Sequence, residues 1–367
     1  MKKIVFIHLY NDRSGSPKVL SQVINAVSNK KIPFEVLTSH HTDGFLSKYK
    51  KKTTNIFYQR ANNKMVTLFY YLISQFCLFF FCLKYWRKDI VFYINTLMPF
   101  GASLAGKLMG KTIYYHIHET SIRPIILKEF LKKVASITAS KVVYVSDFLA
   151  EKEKINTTYR VIHNAVDSNF LSKAEANRYI KKSNTDDFNV LMACSLKTYK
   201  GVLEFIQLAT LLKTNSIFSF TLVLNADQIE INNFFSSVKI PKNMEIYSRQ
   251  TDLSKFYCNA NCLLNLSRVD QWIETFGLTI IEGMSYGLPI ICPPIGGPCE
   301  IVSDNIEGFL ISSYDLSSIK SKLLLLSENT QLYLRMSNKS KIKSETFSIQ
   351  EFDRRIIRFL THDRETC

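Results

Sequence analysis

One stretch constrains this chain more than any other: Cys262 to Leu310, CLLNLSRVDQWIETFGLTIIEGMSYGLPIICPPIGGPCEIVSDNIEGFL. The apolar run Cys262–Leu266 reads as a strand buried on both faces, the mark of a parallel sheet. A polar loop follows, then a helical segment from Gly277 to Tyr286 with Gly287 as its C-terminal stop. Pro289 and the run Ile290–Cys292 start the next strand, and Gly296-Gly297-Pro298 makes a turn. Strand, loop, helix and strand in this order place a ligand at the carboxyl ends of parallel strands. Glu274 stands before the helix and Glu282 inside it. With 17 Glu in the chain, roughly one pair at that spacing arises by chance, so the context must carry the argument.

The context is a long alternation of strands and helices. Ile4–Leu9 reads as a first strand. Ser16 and Pro17 then form an N-cap and first helical position, and Val19, Leu20, Val23, Ile24 and Val27 give one apolar face. The turn Ser14-Gly15-Ser16 is a candidate phosphate approach, carried by the single Gly15, with an ordinary strand-to-helix turn as the equal alternative. Residues 89–95, 111–119, 141–146 and 160–167 continue the strand series. A second series begins at residues 189–195 and runs through the opening stretch. The expected fold is α/β, two doubly wound domains. The first takes residues 1–170 and the second residues 189–346, with a polar linker at 171–188 and a terminal amphipathic helix from 347.

Charge is asymmetric. Residues 1–180 hold 27 Lys and Arg against 11 Asp and Glu, whereas residues 181–367 hold 20 of each. The whole excess of +16 therefore lies in the first half. Such a surface suits a membrane, nucleic acid or a polyanionic substrate, or is simply a solvated basic face. Residues 65–83 are apolar and aromatic-rich, long enough to cross a bilayer. They fall where an α/β domain needs a helix, and Gln75 interrupts them, so a buried or membrane-facing helix is the expectation. No signal peptide is recognisable. The eight Cys lie mostly in apolar runs without metal-ligand spacing, which suits reduced thiols in the cytoplasm.

Taken in order, several segments resemble the retaining glycosyltransferases of family 4. The strongest is Glu274-Thr-Phe-Gly-Leu-Thr-Ile-Ile-Glu282-Gly-Met-Ser-Tyr-Gly-Leu-Pro, similar to the family's pair of glutamates with its following helix. Tyr199-Lys200-Gly201, Gly296-Gly297-Pro298-Cys299-Glu300, Asn305-Ile306-Glu307-Gly308 and residues 161–167 (VIHNAVD) support it. Residues 116–124 (HIHETSIRP) are similar to the acceptor-domain histidine region. The likeness implies the GT-B fold, two Rossmann-like domains facing across a cleft, with the terminal helix crossing back to the first. One departure stands out: the family often has G-R-L-x-x-x-K-G where this chain has Cys194-Ser195-Leu196-Lys197-Thr198-Tyr199-Lys200-Gly201. Ser195 replaces the Arg, and Lys197 offers charge without the bidentate fork.

The resemblance implies a retaining transferase that takes a nucleotide-diphosphate sugar as donor substrate and needs no cofactor. The N–H groups of Phe276, Gly277 and Leu278 and the Lys200 ammonium would meet diphosphate or sugar oxygens. Glu282 would accept from the ribose hydroxyls and Glu274 would face the reacting sugar. His118 matches the acceptor-side histidine. Gly15, Lys197 and Gly297 complete the expected binding set. No D-x-D occurs, so a divalent-cation clamp has no obvious ligands and no metal is expected. The acceptor would be a glycan hydroxyl, with a lipid-linked glycan favoured. The basic first half then fits an anionic membrane surface on the cytoplasmic side, not nucleic acid. A same-fold nucleotide-sugar epimerase and a noncatalytic membrane- or polyanion-binding protein remain the alternatives.

Overall fold

Runs of β-branched and aromatic residues, buried on both faces, become two all-parallel sheets in the computed structural model, which describes residues 2–40, 43–176 and 187–361. The first sheet has seven strands: β1 (Lys3–Ile7), β2 (Phe34–Ser39), β3 (Thr53–Ile56), β4 (Ile90–Asn95), β5 (Thr112–Ile117), β6 (Lys141–Tyr144) and β7 (Tyr159–Val161). Their order is β3-β2-β1-β4-β5-β6-β7, so the direction of winding reverses between β1 and β4. The second has six: β8 (Phe188–Cys194), β9 (Phe218–Leu224), β10 (Met244–Tyr247), β11 (Cys262–Leu264), β12 (Ile290–Cys292) and β13 (Gly308–Leu310). Their order, β10-β9-β8-β11-β12-β13, reverses between β8 and β11. In open parallel sheets the crevice for a ligand lies beyond the carboxyl ends at such reversals. Each sheet therefore has one favoured place for a site.

The chain divides after Asn164 and again after Ile349; the second unit is Ala165–Ile349, and the first takes the preceding residues and the helix from Gln350 on. The first divide falls ahead of the expected position at 170. The polar segment read as a linker from 171 begins inside a helix, Ser168–Ala176, of the second unit. Phe170 anchors that helix, its ring lying 5.5 Å from Tyr257 and 5.3 Å from Tyr286. Composition hid this because one aromatic residue among polar neighbours carries the packing. Residues 177–186 of the expected linker lie outside the described residues. The first helix, Gly15–Asn29, also starts earlier than expected. Its N-cap is Ser14, whose amide donates to Asp12 Oδ1 at 3.0 Å, so Ser16 lies within the helix.

The apolar segment at residues 65–83 becomes the helix Lys64–Cys82, long and apolar enough to cross a membrane. One side of it is packed: Tyr71, Ser74, Gln75, Leu78 and Cys82 are buried. Gln75 Oε1 accepts from the Gly101 N–H at 3.1 Å, and Tyr71 donates to the Met98 carbonyl at 2.7 Å. A Cβ at Gly101 would lie 2.1 Å from the Gln75 carbonyl oxygen, so this helix and the helix Phe100–Leu108 meet backbone to backbone. The other side is bare. Met65, Phe69, Leu72, Phe76 and Phe80 are all exposed, and at 100° per residue they fall on one stripe. The cysteines within the described residues are unbridged, with Cys82, Cys262 and Cys292 buried.

Candidate functional site

At the reversal of the second sheet, two loops are locked together by glycine. Gly201, after β8, has φ +77°, and a Cβ there would sit 2.1 Å from the carbonyl oxygen of Leu266, just after β11. Only glycine fits, so the loop carrying Lys200 lies flush on the loop leading to Glu274. The Arg268 N–H donates to the Tyr199 carbonyl at 2.8 Å, and the Arg268 guanidinium pairs with Glu204 at 2.7 Å. Tyr199 and Trp272 stack at 5.1 Å with 17° between planes, and the Lys200 ammonium lies 5.1 Å from the Trp272 ring centre.

This framework brings Glu274 and Lys200 into direct contact. Glu274 Oε1 accepts from the Lys200 ammonium and from Ser267 Oγ, the latter at 2.8 Å. Burial alone would push the Glu274 carboxyl up; the Lys200 charge and the bonds from Lys200, Ser267 and Asn265 outweigh it and hold the carboxyl below its ordinary value. Glu274 is thus an oriented anion. The loop is held from behind by Gly296 and Gly297. The Gly297 N–H donates to the Glu274 carbonyl at 2.9 Å, and a Cβ on Gly297 would stand 2.3 Å from the Thr275 carbonyl oxygen. The role the structure gives Gly297 is close backbone approach behind Glu274.

Glu274 leads into the helix Leu278–Ser285, whose N-cap is Gly277 at φ +121°. The first N–H groups of such a helix have no carbonyl within it to bond, and they bring the positive end of the backbone dipoles to this point. Phe276 is buried, with its ring 5.7 Å from Phe347. Glu282 is the fifth residue of the helix, 6% exposed, and its Oε2 accepts from Tyr257 at 2.8 Å. Tyr257 stacks on Tyr286 at 5.7 Å; burial first, then the Glu282 charge, pushes its phenol well above the ordinary range. Tyr257 and Ser267, which no motif marks, are among the partners that fix the glutamates. Lys197 is exposed, three positions before Lys200 along the chain.

The first sheet gathers a different group at its own reversal. His8 follows β1, Asn95 ends β4, and His116 and His118 close β5. Strand alternation puts the two histidines on one face, their rings 4.1 Å apart and tilted by 38°. His118 Nε2 is 2.9 Å from Asn95 Oδ1, and Asn95 Nδ2 is 3.0 Å from His8 Nδ1. His116 Nδ1 meets the Tyr93 hydroxyl at 2.8 Å. Burial lowers His8 to about 4 and His116 to about 3; burial, then His116 and His8, holds His118 well below its ordinary value. Glu119 accepts from the N–H groups of Leu97 and His118 at 3.1 and 3.2 Å, yet burial pushes its carboxyl up to about 7. Gly15 takes the first helical position after Ser14, an exposed place at the same sheet edge.

The profile of the family described as "Glycosyl transferases group 1" matches residues 173–343. An uncharacterized glycosyltransferase of Haemophilus influenzae is 26% identical over 228 residues, covering 60% of this chain and 61% of that protein. The likeness therefore spans less than two thirds of that relative. Among solved structures, Anabaena Alr3699/HepE in complex with UDP and glucose superposes with TM-score 0.78 at 17% identity, covering 99% of this chain and 100% of that one. The apo form of the lipopolysaccharide outer core galactosyltransferase WaaB superposes with TM-score 0.71 at 17% identity, covering 98% and 99%. These likenesses establish the fold, which is GT-B.

Proposed function

We propose that this chain, whose residues 173–343 match the profile of the glycosyl transferases group 1 family, moves a sugar from a nucleotide-diphosphate donor to a hydroxyl of a growing glycan. The observation that carries this reading is the arrangement around the helix Leu278–Ser285. Glu274 stands before it, oriented by Lys200 and Ser267, and Glu282 stands one turn inside, oriented by Tyr257. An ammonium has three donors, so Lys200 can hold Glu274 and still meet a phosphate oxygen. With the N–H groups of Phe276, Gly277 and Leu278 it stabilises the leaving diphosphate without a metal ion. Glu274 serves the hydroxyls and reacting carbon of the sugar, and Glu282 the ribose. Transfer proceeds with retention, the departing phosphate oxygen taking the acceptor's proton.

The acceptor belongs to the first unit, with His118 beside the attacking hydroxyl. A lipid-linked glycan fits best, because the first unit also carries the bare stripe Met65–Phe80 with Lys64, Lys84, Arg87 and Lys88 at its ends. Aromatic residues framed by cations suit the interface of an anionic bilayer. The enzyme then works as a peripheral protein on the cytoplasmic face, in synthesis of a cell-surface polysaccharide. The likeness to a galactosyltransferase of lipopolysaccharide points the same way, and the Anabaena neighbour makes UDP-glucose the first donor to try. The test is transfer from labelled nucleotide sugars to lipid-extracted acceptors, with Glu274→Ala beside the native chain. The expected result is a folded variant without transfer. Full transfer by that variant would overturn the site, and conversion of donor alone would favour an epimerase.

A further inference from the structure

We propose that the open cavity between β7 and the terminal helix Ile349–Thr361 binds a small soluble phosphomonoester, held by Arg160, Arg354 and Arg355. Every residue lining it belongs to the first unit, and β7 is the last strand of that unit's sheet. The site is independent of the donor site in the second unit.

The sequence of the terminal helix puts its charge on one side. At 100° per residue Glu351, Arg354, Arg355 and Arg358 share a stripe, while Phe352, Ile356, Phe359 and Leu360 form the buried side. Burying the second side against the sheet turns the first along β7. The cavity so formed measures about 410 Å³, within the roughly 300–1,000 Å³ of small-molecule pockets. Lys141, Arg160, Arg354, Arg355 and Arg358 line it, and among the described residues no Asp or Glu does. Glu351, beside it, shows what these guanidinium groups hold. Arg354 donates to both of its oxygens, from Nε at 2.8 Å and Nη2 at 2.7 Å, and Arg355 donates from Nε at 2.6 Å. Both Nη groups of Arg355 keep their donors. Arg160 bonds only to its neighbour's carbonyl, on Tyr159, at 3.4 Å. Three guanidinium groups less one carboxylate leave two positive charges, which one phosphate group matches with its charge of about −1.5 to −2 near pH 7. The planar fork that grips Glu351 fits phosphate equally well. Lys141 and Arg358, which have other contacts too, add donors to the same wall.

The cavity has room for more than a bare ion. Tyr159 and Phe359 give it aromatic walls, and Tyr159 is 43% exposed, so its ring is open to the apolar face of a small body. A phosphate on a lipid would have to bring a bilayer with it, and the sheet stands in the way. A Cβ on Gly106 would lie 3.0 Å from Ile113 Cδ1, so the helix Phe100–Leu108 covers the Ile113 face of β5. The helix Lys64–Cys82, with its bare stripe, packs on that same helix at Gly101. Phe359 lies instead 5.0 Å from Tyr114, the next residue of β5, whose side chain points to the opposite face. A flat bilayer on the stripe would thus lie across the sheet from the arginines. Phosphate reaches them from solution, and by bridging Arg160 to Arg355 it holds the terminal helix against β7.

The test is hydrogen–deuterium exchange on the full chain, with inorganic phosphate and glucose 1-phosphate as probes, beside the double variant Arg160→Gln/Arg355→Gln. Both probes should slow exchange across residues 158–162 and 350–361 of the native chain, glucose 1-phosphate at the lower concentration. The double variant should need about 100-fold more probe, tenfold for each charge-assisted hydrogen bond lost. Its Glu351 still pairs with Arg354, so the terminal helix should stay in place. Equal protection in the double variant, or protection confined to residues 274–285 at the donor site, would overturn the proposal. Protection by phosphatidate vesicles but by neither soluble probe would overturn the soluble ligand. The native chain decides even where the variant folds poorly: exchange unchanged in both segments at about 10 mM of either probe, far above the range of a specific site, would overturn it.

Discussion

Replacing the bare stripe of the helix Lys64–Cys82 should release the protein from membranes without unfolding it. Phe69, Leu72, Phe76 and Phe80 are 60%, 49%, 66% and 53% exposed, so about half of each side chain is available to a bilayer. Full burial of such a side chain is worth about 1.5–3 kcal/mol, and half of that is about 1 kcal/mol each. Changing all four to Gln should remove about 4 kcal/mol, roughly three decades in the partition coefficient at 1.4 kcal/mol per decade. None of the four makes up the packed side, and Gln favours a helix, so the melting temperature should barely move. Flotation with vesicles containing an anionic lipid measures this directly. The native chain should float at low salt and less at high salt, because Lys64, Lys84, Arg87 and Lys88 contribute a screened attraction. A fourfold variant that floats as the native chain does would refute the assignment of this face.

Other perturbations separate the groups around the second sheet. Glu282→Gln and Tyr257→Phe should raise the donor dissociation constant while leaving kcat at saturating donor near native, whereas Glu274→Gln should lower kcat; a thermal-shift titration with the donor beside initial rates distinguishes them. Gly201→Ala should destabilise the fold by about 1–3 kcal/mol from its positive φ alone, with more from the contact with Leu266, read from the denaturant midpoint. Stability should fall as pH drops from 6.5 toward 4. His8 and His116 have folded values of about 4 and about 3, so below 6.5 the unfolded chain binds more protons. Glu119, raised from 4.5 to about 7, acts in the opposite sense between those values, but it is one carboxyl against at least two imidazoles. Denaturation at pH 7 and pH 5 checks the sign.

Much of the second unit was legible because its signals are local. The helix after Glu274, its stop at Gly287 with φ +71°, and the strand Ile290–Cys292 follow from glycine, proline and apolar runs. The glutamates' partners were not legible. Ser267 and Tyr257 are ordinary residues whose value comes from a meeting in space, 7 and 25 positions from the glutamates they hold. In the first unit the strands Phe34–Ser39 and Thr53–Ile56 escaped notice. The second of these is short, polar and at a sheet edge, so it lacks the apolar run that marks a central strand. The helix at 64–82 was legible as apolar and ambiguous as to place, since hydropathy does not say which residues face Gly101. Asn95 shows the same limit from the other side: a strand-end Asn carries no signature until His8 and His118 flank it.

The terminal helix Ile349–Thr361 gives the molecule an order of birth. Its Phe352, Ile356, Phe359 and Leu360 are buried, and the Phe359 ring lies 5.0 Å from Tyr114 of β5. The first unit to leave the ribosome is thus the last to be finished, since its sheet waits for residues made after the whole second unit. Until then Tyr114 lacks the ring it packs against, and a chain halted anywhere in the second unit carries an incomplete first one. The second unit, in contrast, is continuous and could be complete while the other still waits.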